Sequence, residues 1–320
     1  MAEARFRIGF AGPLVSVQDG GRPGKLRFGV PASGGMDRKA LALANLALGR
    51  PEGAAVIEVS LGGLQLECLA GPVSVAVTGG GFIVEAGGRT LTSWCVVTLQ
   101  AGDSLRVRRG HWGAWAYVAF AGDLDCPRWL GSAATLAASG LGGGVLKTGG
   151  TLRVQGARVV GERALPCPVT ARPRHQLHVV PGPQERCFTP EALAAFRAGP
   201  WFVTAQGDRM GVRLKGPVLA LGDALQVPSE PILRGSLQVA GDGVPVLLMA
   251  DHQTTGGYPK IATVIDDDLD GFAQLRPGDG VEFLPIGADE AAALGRFRAA
   301  RWAEYRDRMR QRGSEAPAVG

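Results

Sequence analysis

The segment Asp251-His-Gln-Thr-Thr-Gly-Gly-Tyr-Pro-Lys260 gathers a carboxylate, an amide, two hydroxyls, a phenol and a cation between two apolar runs, Val244–Ala250 and Ile261–Val264. A polar run between two buried strands belongs at the rim of a sheet or barrel. Gly256 and Gly257 permit close backbone approach, and successive exposed N–H groups form an anion nest. This set suits an anionic or amide-bearing ligand. Asp251 and Lys260 are the candidate catalytic pair; Gln253, Thr254, Thr255, Gly256, Gly257 and Tyr258 are candidate substrate-binding groups. The plainer reading is a hairpin loop with decorative polar residues. Such a turn needs only about two to five residues, so a run this long and this varied favours a site.

Two further segments carry similar chemistry. In Gln18-Asp-Gly-Gly-Arg-Pro-Gly24, continuing to Gly29-Val-Pro-Ala-Ser-Gly-Gly-Met-Asp37, glycines alternate with carboxylate and guanidinium. Arg22 suits a bidentate pair with a carboxylate or phosphate; equally, it pairs with Asp19 inside the turn. Gln18, Asp19, Gly21, Gly24 and Asp37 read as the frame of that segment. In Gly207-Asp-Arg-Met-Gly-Val-Arg-Leu214, Asp208 and Arg209 precede a strand, as a structural salt bridge or as site residues, with Arg209 a candidate for substrate binding. The sequence holds no GxxxxGK[ST], GxSxG or HExxH pattern, so a self-sufficient nucleotidase or serine hydrolase is not supported. Gly140 to Gly144 reads as a flexible turn. His175 and His178, three apart at the start of a strand, point to opposite faces, so no metal site is expected.

These residues must be held by strands. The chain has 320 residues, with 49 glycines and 21 prolines spread among Val/Leu-rich runs rather than collected into a tail. That distribution punctuates short strands and tight turns. Expected strands in the first half are Phe6–Phe10, Ala55–Ser60, Leu64–Leu69, Val73–Thr78, Phe82–Glu85, Cys95–Leu99, Ser104–Val107, Ala114–Ala119 and Thr151–Val154. A helix capped by Asp37 carries Ala40–Leu48 and stops at Gly49. In the second half, Thr189 caps a helix with Pro190 at its first position and Gly199 past its end. Strands are expected at His178–Val180, Phe202, Val212–Leu214, Ser236–Val239, Val246–Ala250, Ile261–Val264 and Glu282–Leu284. The similar closing segments Leu146–Val154 and Leu275–Phe283 suggest two related barrels, against convergent turn chemistry as the alternative. The expected domains are residues 1–165, residues 175–287 and a C-terminal helix over 288–312, with Leu294, Phe297, Trp302, Tyr305 and Met309 as its apolar stripe.

The charge sum is 34 − 29 = +5. The one dense basic stretch, Arg296 to Arg312, also holds Glu304 and Asp307 and reads as a helix face, so nucleic-acid binding is not expected. Five cysteines without CxxC read as small core hydrophobes. No apolar run approaches the roughly 18–20 residues of a membrane span, and the N-terminus lacks a signal-like apolar core; a cytoplasmic protein is expected.

Taken in order, QDGGRPG with GVPASGGMD, then GDRMGVRLKG, then GSLQV (which contains Gln238) and ADHQTTGGYPKIATV resemble the carboxyltransferase/allophanate hydrolase subunit 2 family. That family includes the C-type subunit of 5-oxoprolinase and KipA-type proteins, and it resembles part of urea carboxylase. The resemblance runs from about Phe10 to Phe283. It implies a mainly β fold of two cyclophilin-like barrels. It also implies a subunit 1 partner, either the B-type subunit of 5-oxoprolinase or a KipI-like protein. A third protein, like the A-type subunit of that enzyme, then joins in ATP-dependent opening of a small cyclic amide. Two alternatives follow from the same likeness: a carboxyl-transfer subunit served by biotin from elsewhere, and a KipA-type regulatory binding protein. Departures from the family pattern stand at His252 (usually arginine), Gly207 (serine), Ala240 (proline), and Ala133 and Ala134, where Arg-Ser precedes the threonine.

Overall fold

A computed structural model describes residues 2–222 and 227–314. The chain divides into two compact units: Met1–Arg22, Ser33–Arg172 and Trp302–Gly320 form one, and Pro23–Ala32 with Pro173–Arg301 the other. The first unit contains β1 (Glu3–Ala11), β2 (Ser16–Gln18), α1 (Arg38–Ala47), β3 (Val56–Val59), β4 (Leu64–Ala70), β5 (Val73–Ala86), β6 (Arg89–Thr92), β7 (Cys95–Leu99), β8 (Ser104–Phe120), β9 (Asp123–Leu124), β10 (Thr151–Gln155) and β11 (Arg163–Ala164). They make one 11-stranded sheet in the order β11-β7-β5-β8-β4-β1-β10-β9, with β2, β3 and β6 branching from it. Asp37 caps α1 through Oδ1, which accepts from Ala40 N at 2.9 Å, and the helix buries Leu41, Leu43 and Leu46.

The sequence reading breaks β5 and β8 into two strands each, at their glycines. The structure runs both strands through, with register shifts at Gly79/Gly81 and Gly81/Ile83. A Cβ at Gly110 would overlap Gly81 O, and one at Gly80 would lie 2.8 Å from Gly113 Cα. These glycines therefore permit two long strands to bulge and cross closely, a role distinct from ending a strand.

The second unit contains β12 (Gln176–Pro181), α2 (Pro190–Ala198), β13 (Trp201–Gly207), β14 (Gly211–Lys215), β15 (Glu230–Pro231), β16 (Ser236–Val239), β17 (Pro245–Leu248), β18 (Thr255–Gly256), β19 (Lys260–Val264), α3 (Leu269–Ala273) and β20 (Gly280–Pro285). Seven strands close as β12-β19-β16-β17-β14-β13-β20, and β15 pairs separately with β18. Closure removes every edge of that sheet. Thr189 Oγ1 caps α2 by accepting from Ala192 N at 3.1 Å. Phe196 of α2 stacks on Phe283 at 4.8 Å between ring centres, with Trp201 beside it, which anchors the helix to β20 and β13. The helix α4 (Ala288–Ser314) follows.

The fold is thus mainly β, with a closed seven-stranded barrel and, among the described residues, four α-helices including a C-terminal one. The similar closing segments end in unlike pairings. β10 runs antiparallel to β1, whereas β20 runs parallel to β12. All five cysteines are free, and among the described residues no helix is long and apolar enough to cross a membrane.

Alternation in the second barrel sets up the site. Leu237, Val239, Leu247 and Leu214 are buried and fill the interior. Their neighbours Gln238, Val246, Leu248 and Arg213 must then face outward. Register places Lys260 opposite Gln238, Gln238 opposite Val246, and Val246 opposite Arg213. One transverse row thus crosses β19, β16, β17 and β14, running from cation through amide to cation.

Candidate functional site

Two loops of the second unit close over that outward face. The turn between β13 and β14 holds Asp208, whose Oδ1 accepts from Met210 N at 2.7 Å and from Gly211 N at 3.3 Å. This is a self-bonded turn that fixes the backbone. The turn is tied to the loop after β17 by Met249 N donating to Met210 O and Asp251 N donating to Arg209 O, at 2.9 and 2.8 Å. Arg209 and Asp251 add a bidentate pair, with Nε to Oδ2 at 2.8 Å and Nη2 to Oδ1 at 3.0 Å. Both are about 5% exposed. Both Asp251 oxygens are engaged, and the pair works as a joint between the two loops.

Lys260 is equally committed. It is buried, its ammonium is paired with Glu230, and its backbone N–H donates to Gln184 Oε1 at 3.3 Å. Gln184 also donates to Glu230. The hydrogen bond from Lys260 is the main reason that the Glu230 carboxyl lies below its ordinary pKa. His252 is buried, with Nδ1 2.6 Å from Gln253 O. Burial holds its imidazole below its ordinary value of 6.5.

The amides form the next layer. Gln253 donates through Nε2 to Gln238 Oε1 at 3.2 Å. Among the described residues Gln238 Nε2 has no partner, although Gln238 is only 4% exposed. A buried unpartnered donor costs about 1–3 kcal/mol unless a ligand or water completes it. Gly256 leaves the space beside it, since a Cβ there would sit 2.6 Å from Nε2. Thr254 O accepts from Ile232 N at 3.1 Å, Thr255 and Gly256 pair with β15, and a Cβ on Gly257 would lie 3.1 Å from Val227 O. Tyr258 is 53% exposed.

Above this row lies a cleft of about 560 Å³. Its floor is Gln238, Ala240, Val246, Leu248, Gly211 and Arg213; its walls are Gln206 to Met210 on one side and Gln253 with Tyr258 on the other. That volume suits a small ligand. Arg213 donates to Asp242 Oδ2 at 2.7 Å. Each cation around the cleft faces a carboxylate: Arg209 meets Asp251, Arg213 meets Asp242 and Lys260 meets Glu230. Of the residues that line the cleft itself, Arg213 is the cation and Asp208 the acid. Among the described residues no cluster suited to a metal ion exists.

Residues 18–22 and 33–37 of the other segment build a frame in the first unit. Asp19 is buried; its Oδ1 accepts from Gly21 N at 2.8 Å and Ser132 Oγ at 2.6 Å, and its Oδ2 accepts from Ala133 N at 2.6 Å. Arg22 donates to Ala134 O and lies over the Trp129 ring at 5.2 Å. Gln18 Nε2 bonds Ser16 Oγ at 2.9 Å and Thr135 O at 3.3 Å. Gly21 and Gly24 have φ of 79° and 80°, which suits glycine. Asp37 N donates to the Tyr117 hydroxyl at 2.7 Å, and that hydroxyl donates to Glu58 at 2.9 Å. Burial drives the Tyr117 pKa well up. The departures Ala133 and Ala134 hold Asp19 and Arg22 through backbone atoms, so loss of polar side chains there leaves the frame intact. Gly207 and Ala240 line the cleft in the second unit.

The structure thus brings together Asp208, Arg209, Gln238, Asp251, Gln253, Tyr258 and Lys260 in the second unit, and Gln18, Asp19, Gly21, Arg22 and Asp37 in the first. Sequence reasoning missed Glu230, Gln184, Arg213, Glu58 and Tyr117 as partners. Glu58 left a signal, being an acid inside the apolar run Ala55–Ser60. Glu230 and Gln184 left none, because only pairing across the fold reveals them.

Comparison with known proteins matches residues 28–285 to the carboxyltransferase domain, subdomains A and B. The chain is 33% identical to the C-type subunit of 5-oxoprolinase from Haemophilus influenzae, over 88% of this chain and 91% of that protein. The Escherichia coli protein of the same name matches at the same identity and coverage. The crystal structure of Kluyveromyces lactis urea amidolyase superposes with a TM-score of 0.85 at 26% identity, covering 97% of this chain and 20% of that one. The chain therefore spans about a fifth of that larger protein.

Proposed function

This chain belongs to the family of the carboxyltransferase domain, subdomains A and B, and we propose that it serves as the C-type subunit of an ATP-dependent complex that opens 5-oxoproline or a similar cyclic amide. The observation that carries this reading is the near end-to-end match to two proteins named as the C-type subunit of 5-oxoprolinase, to which the chain is homologous. The cleft agrees in chemistry, because a buried amide donor beside a neutral, amide-rich wall suits an amide carbonyl. A lactam resists water until its carbonyl is activated, and ATP hydrolysis supplies that drive. In this reading ATP is used together with companion proteins of the B and A types. The chain's own residues bind and orient the amide. Arg209 with Asp251 fixes the two walls, Gln253 fixes the Gln238 amide, and Lys260 stands opposite Gln238 where negative charge develops on the carbonyl.

The test is reconstitution of this chain with B-type and A-type companion proteins. Glutamate and ADP are expected from 5-oxoproline; no turnover with all three proteins present overturns the reading. Lys260→Ala is expected to lower the turnover of that complex about 10²-fold, the scale of one charge-stabilising donor. Unchanged turnover would make Lys260 a purely structural partner of Glu230.

The match over nearly the whole chain to urea amidolyase supports a second reading, a carboxyl-transfer subunit served by a separate biotin carrier. Activity abolished by avidin would favour that reading; avidin-insensitive turnover would exclude it. A regulatory binding role of the KipA type predicts partner binding that survives Lys260→Ala, with no catalysis at all.

A further inference from the structure

We infer that the cleft of the second unit binds a small ligand bearing a primary ammonium group, with Asp208 as its counter-ion and Tyr258 as its aromatic wall. The site stands on the charges and faces of the cleft and goes beyond the amide-opening reading above.

The charges around the cleft leave one group over. Arg209 is joined to Asp251 by two hydrogen bonds. Arg213 donates to Asp242 at 2.7 Å, so its charge is already answered. Asp208 lines the same cleft, is exposed, and among the described residues makes no ion pair. Its Oδ1 accepts from Met210 N and Gly211 N at 2.7 and 3.3 Å, whereas its Oδ2 accepts from no described residue. The turn between β13 and β14 therefore holds a carboxylate in one orientation and leaves an oxygen and the negative charge for a ligand. Because Oδ1 is tied down, little side-chain freedom is lost when Oδ2 is engaged.

The lining completes the chemistry. Tyr258 lines the other wall, is 53% exposed, and among the described residues has no cation over its ring. A carboxylate and an aromatic face both attract an ammonium. An ammonium carries three N–H donors and no acceptor. Gln206, exposed on the Asp208 side, adds an amide oxygen as a neutral acceptor. A carboxylate ligand meets the opposite situation, since Asp208 repels it and Arg213 is held by Asp242. The cleft of about 560 Å³ therefore favours a small cationic amine over a neutral amide.

On the amide-opening reading this group has a source. Water that opens a cyclic amide leaves a carboxylate on the former carbonyl carbon and a primary ammonium on the former ring nitrogen. The nitrogen end of that reaction then belongs beside Asp208.

Saturation-transfer NMR titrations on the full-length chain test the site with glycinamide, which carries a primary ammonium, and N-acetylglycinamide, which does not. Glycinamide is expected to bind about fivefold or more tightly. Asp208→Asn keeps the Oδ1 acceptor of the turn and removes only the charge. It is expected to abolish the preference and leave N-acetylglycinamide binding unchanged. Tyr258→Leu, on the other wall, is expected to weaken glycinamide about twofold to fivefold. Salt at about 1 M is expected to weaken glycinamide alone, because screening then acts within about 3 Å. Circular dichroism checks the fold of each variant. Equal binding of the two probes, no saturation transfer from glycinamide, or an Asp208→Asn chain that keeps the preference overturns the inference. Turnover by the reconstituted complex is scored separately. A glycinamide preference without turnover sinks the amide-opening reading and spares the site; turnover without that preference sinks the site and spares the reading.

Discussion

Arg209 and Asp251 show how much of a site lies in its supports. Each is about 5% exposed, and each completes the other with two hydrogen bonds. Removing one partner leaves a buried charge without its counter-ion, a loss of about 3–5 kcal/mol. Arg209→Met is therefore expected to lower the urea midpoint by that order without changing the slope. The double variant Arg209→Met/Asp251→Leu is expected to recover much of it, because a matched apolar pair carries no desolvated charge. A double variant no more stable than the single one would show that the pair is not the joint. His252 supplies a pH signature in the same loop. Burial depresses its pKa, so the folded chain keeps the ring neutral where the unfolded chain takes up a proton. The unfolded state then binds more protons as pH falls through about 6.5, and stability falls with it. The loss is complete once pH passes below the depressed folded value. His252→Asn is expected to flatten the dependence of melting temperature on pH between about 5 and 7; an unchanged slope would place the acid sensitivity elsewhere. Such residue pairs are poorly legible in sequence. Asp251 and Arg209 stood out by type, but 42 positions separate them, and their roles changed once they faced each other. Lys260 likewise drew notice as a cation, whereas its partner Glu230 carried no local mark.

Elements divide by the kind of signal that specifies them. Helix ends are written locally, and α1 and α2 were readable because capping needs only residues within one turn. Asp37→Ala is expected to cost about 1 kcal/mol by removing the acceptor for Ala40 N, and Thr189→Ala a similar amount at α2, read as shifts in chemical-denaturation midpoint. β5 and β8 were not readable as long strands, because the same glycines that end strands in turns here let two backbones approach. The sequence alone cannot separate these uses; only the partner strand does. Gly110→Ala tests the second use. Its Cβ has no space against Gly81 O, and rigid backbone must move, so a larger loss is expected than for either cap. A Gly110→Ala chain as stable as the Asp37→Ala chain would contradict the close crossing. The row Lys260–Gln238–Val246–Arg213 belongs to this scale too. Alternation within β16 and β14 showed which residues share a face, but register across four strands decided which stand side by side.

At the scale of the whole molecule, the two units have separate interiors. The first is built on Phe6, Phe82, Tyr117 and Phe120, and the second on Trp201, Leu237, Leu247 and Phe283. Each interior draws on strands of its own unit, so its stability depends mainly on substitutions made there. Calorimetry of the full chain makes this measurable. Arg209→Met acts within the second unit and Gly110→Ala within the first. If each interior unfolds with its own cooperativity, the two variants lower different parts of the thermogram, and the heat of the undisturbed part is retained. If the chain unfolds as one unit, both variants move a single transition together, and the calorimetric and van't Hoff enthalpies agree. The first outcome is expected from the closure of the second barrel, whose seven strands pair only with one another.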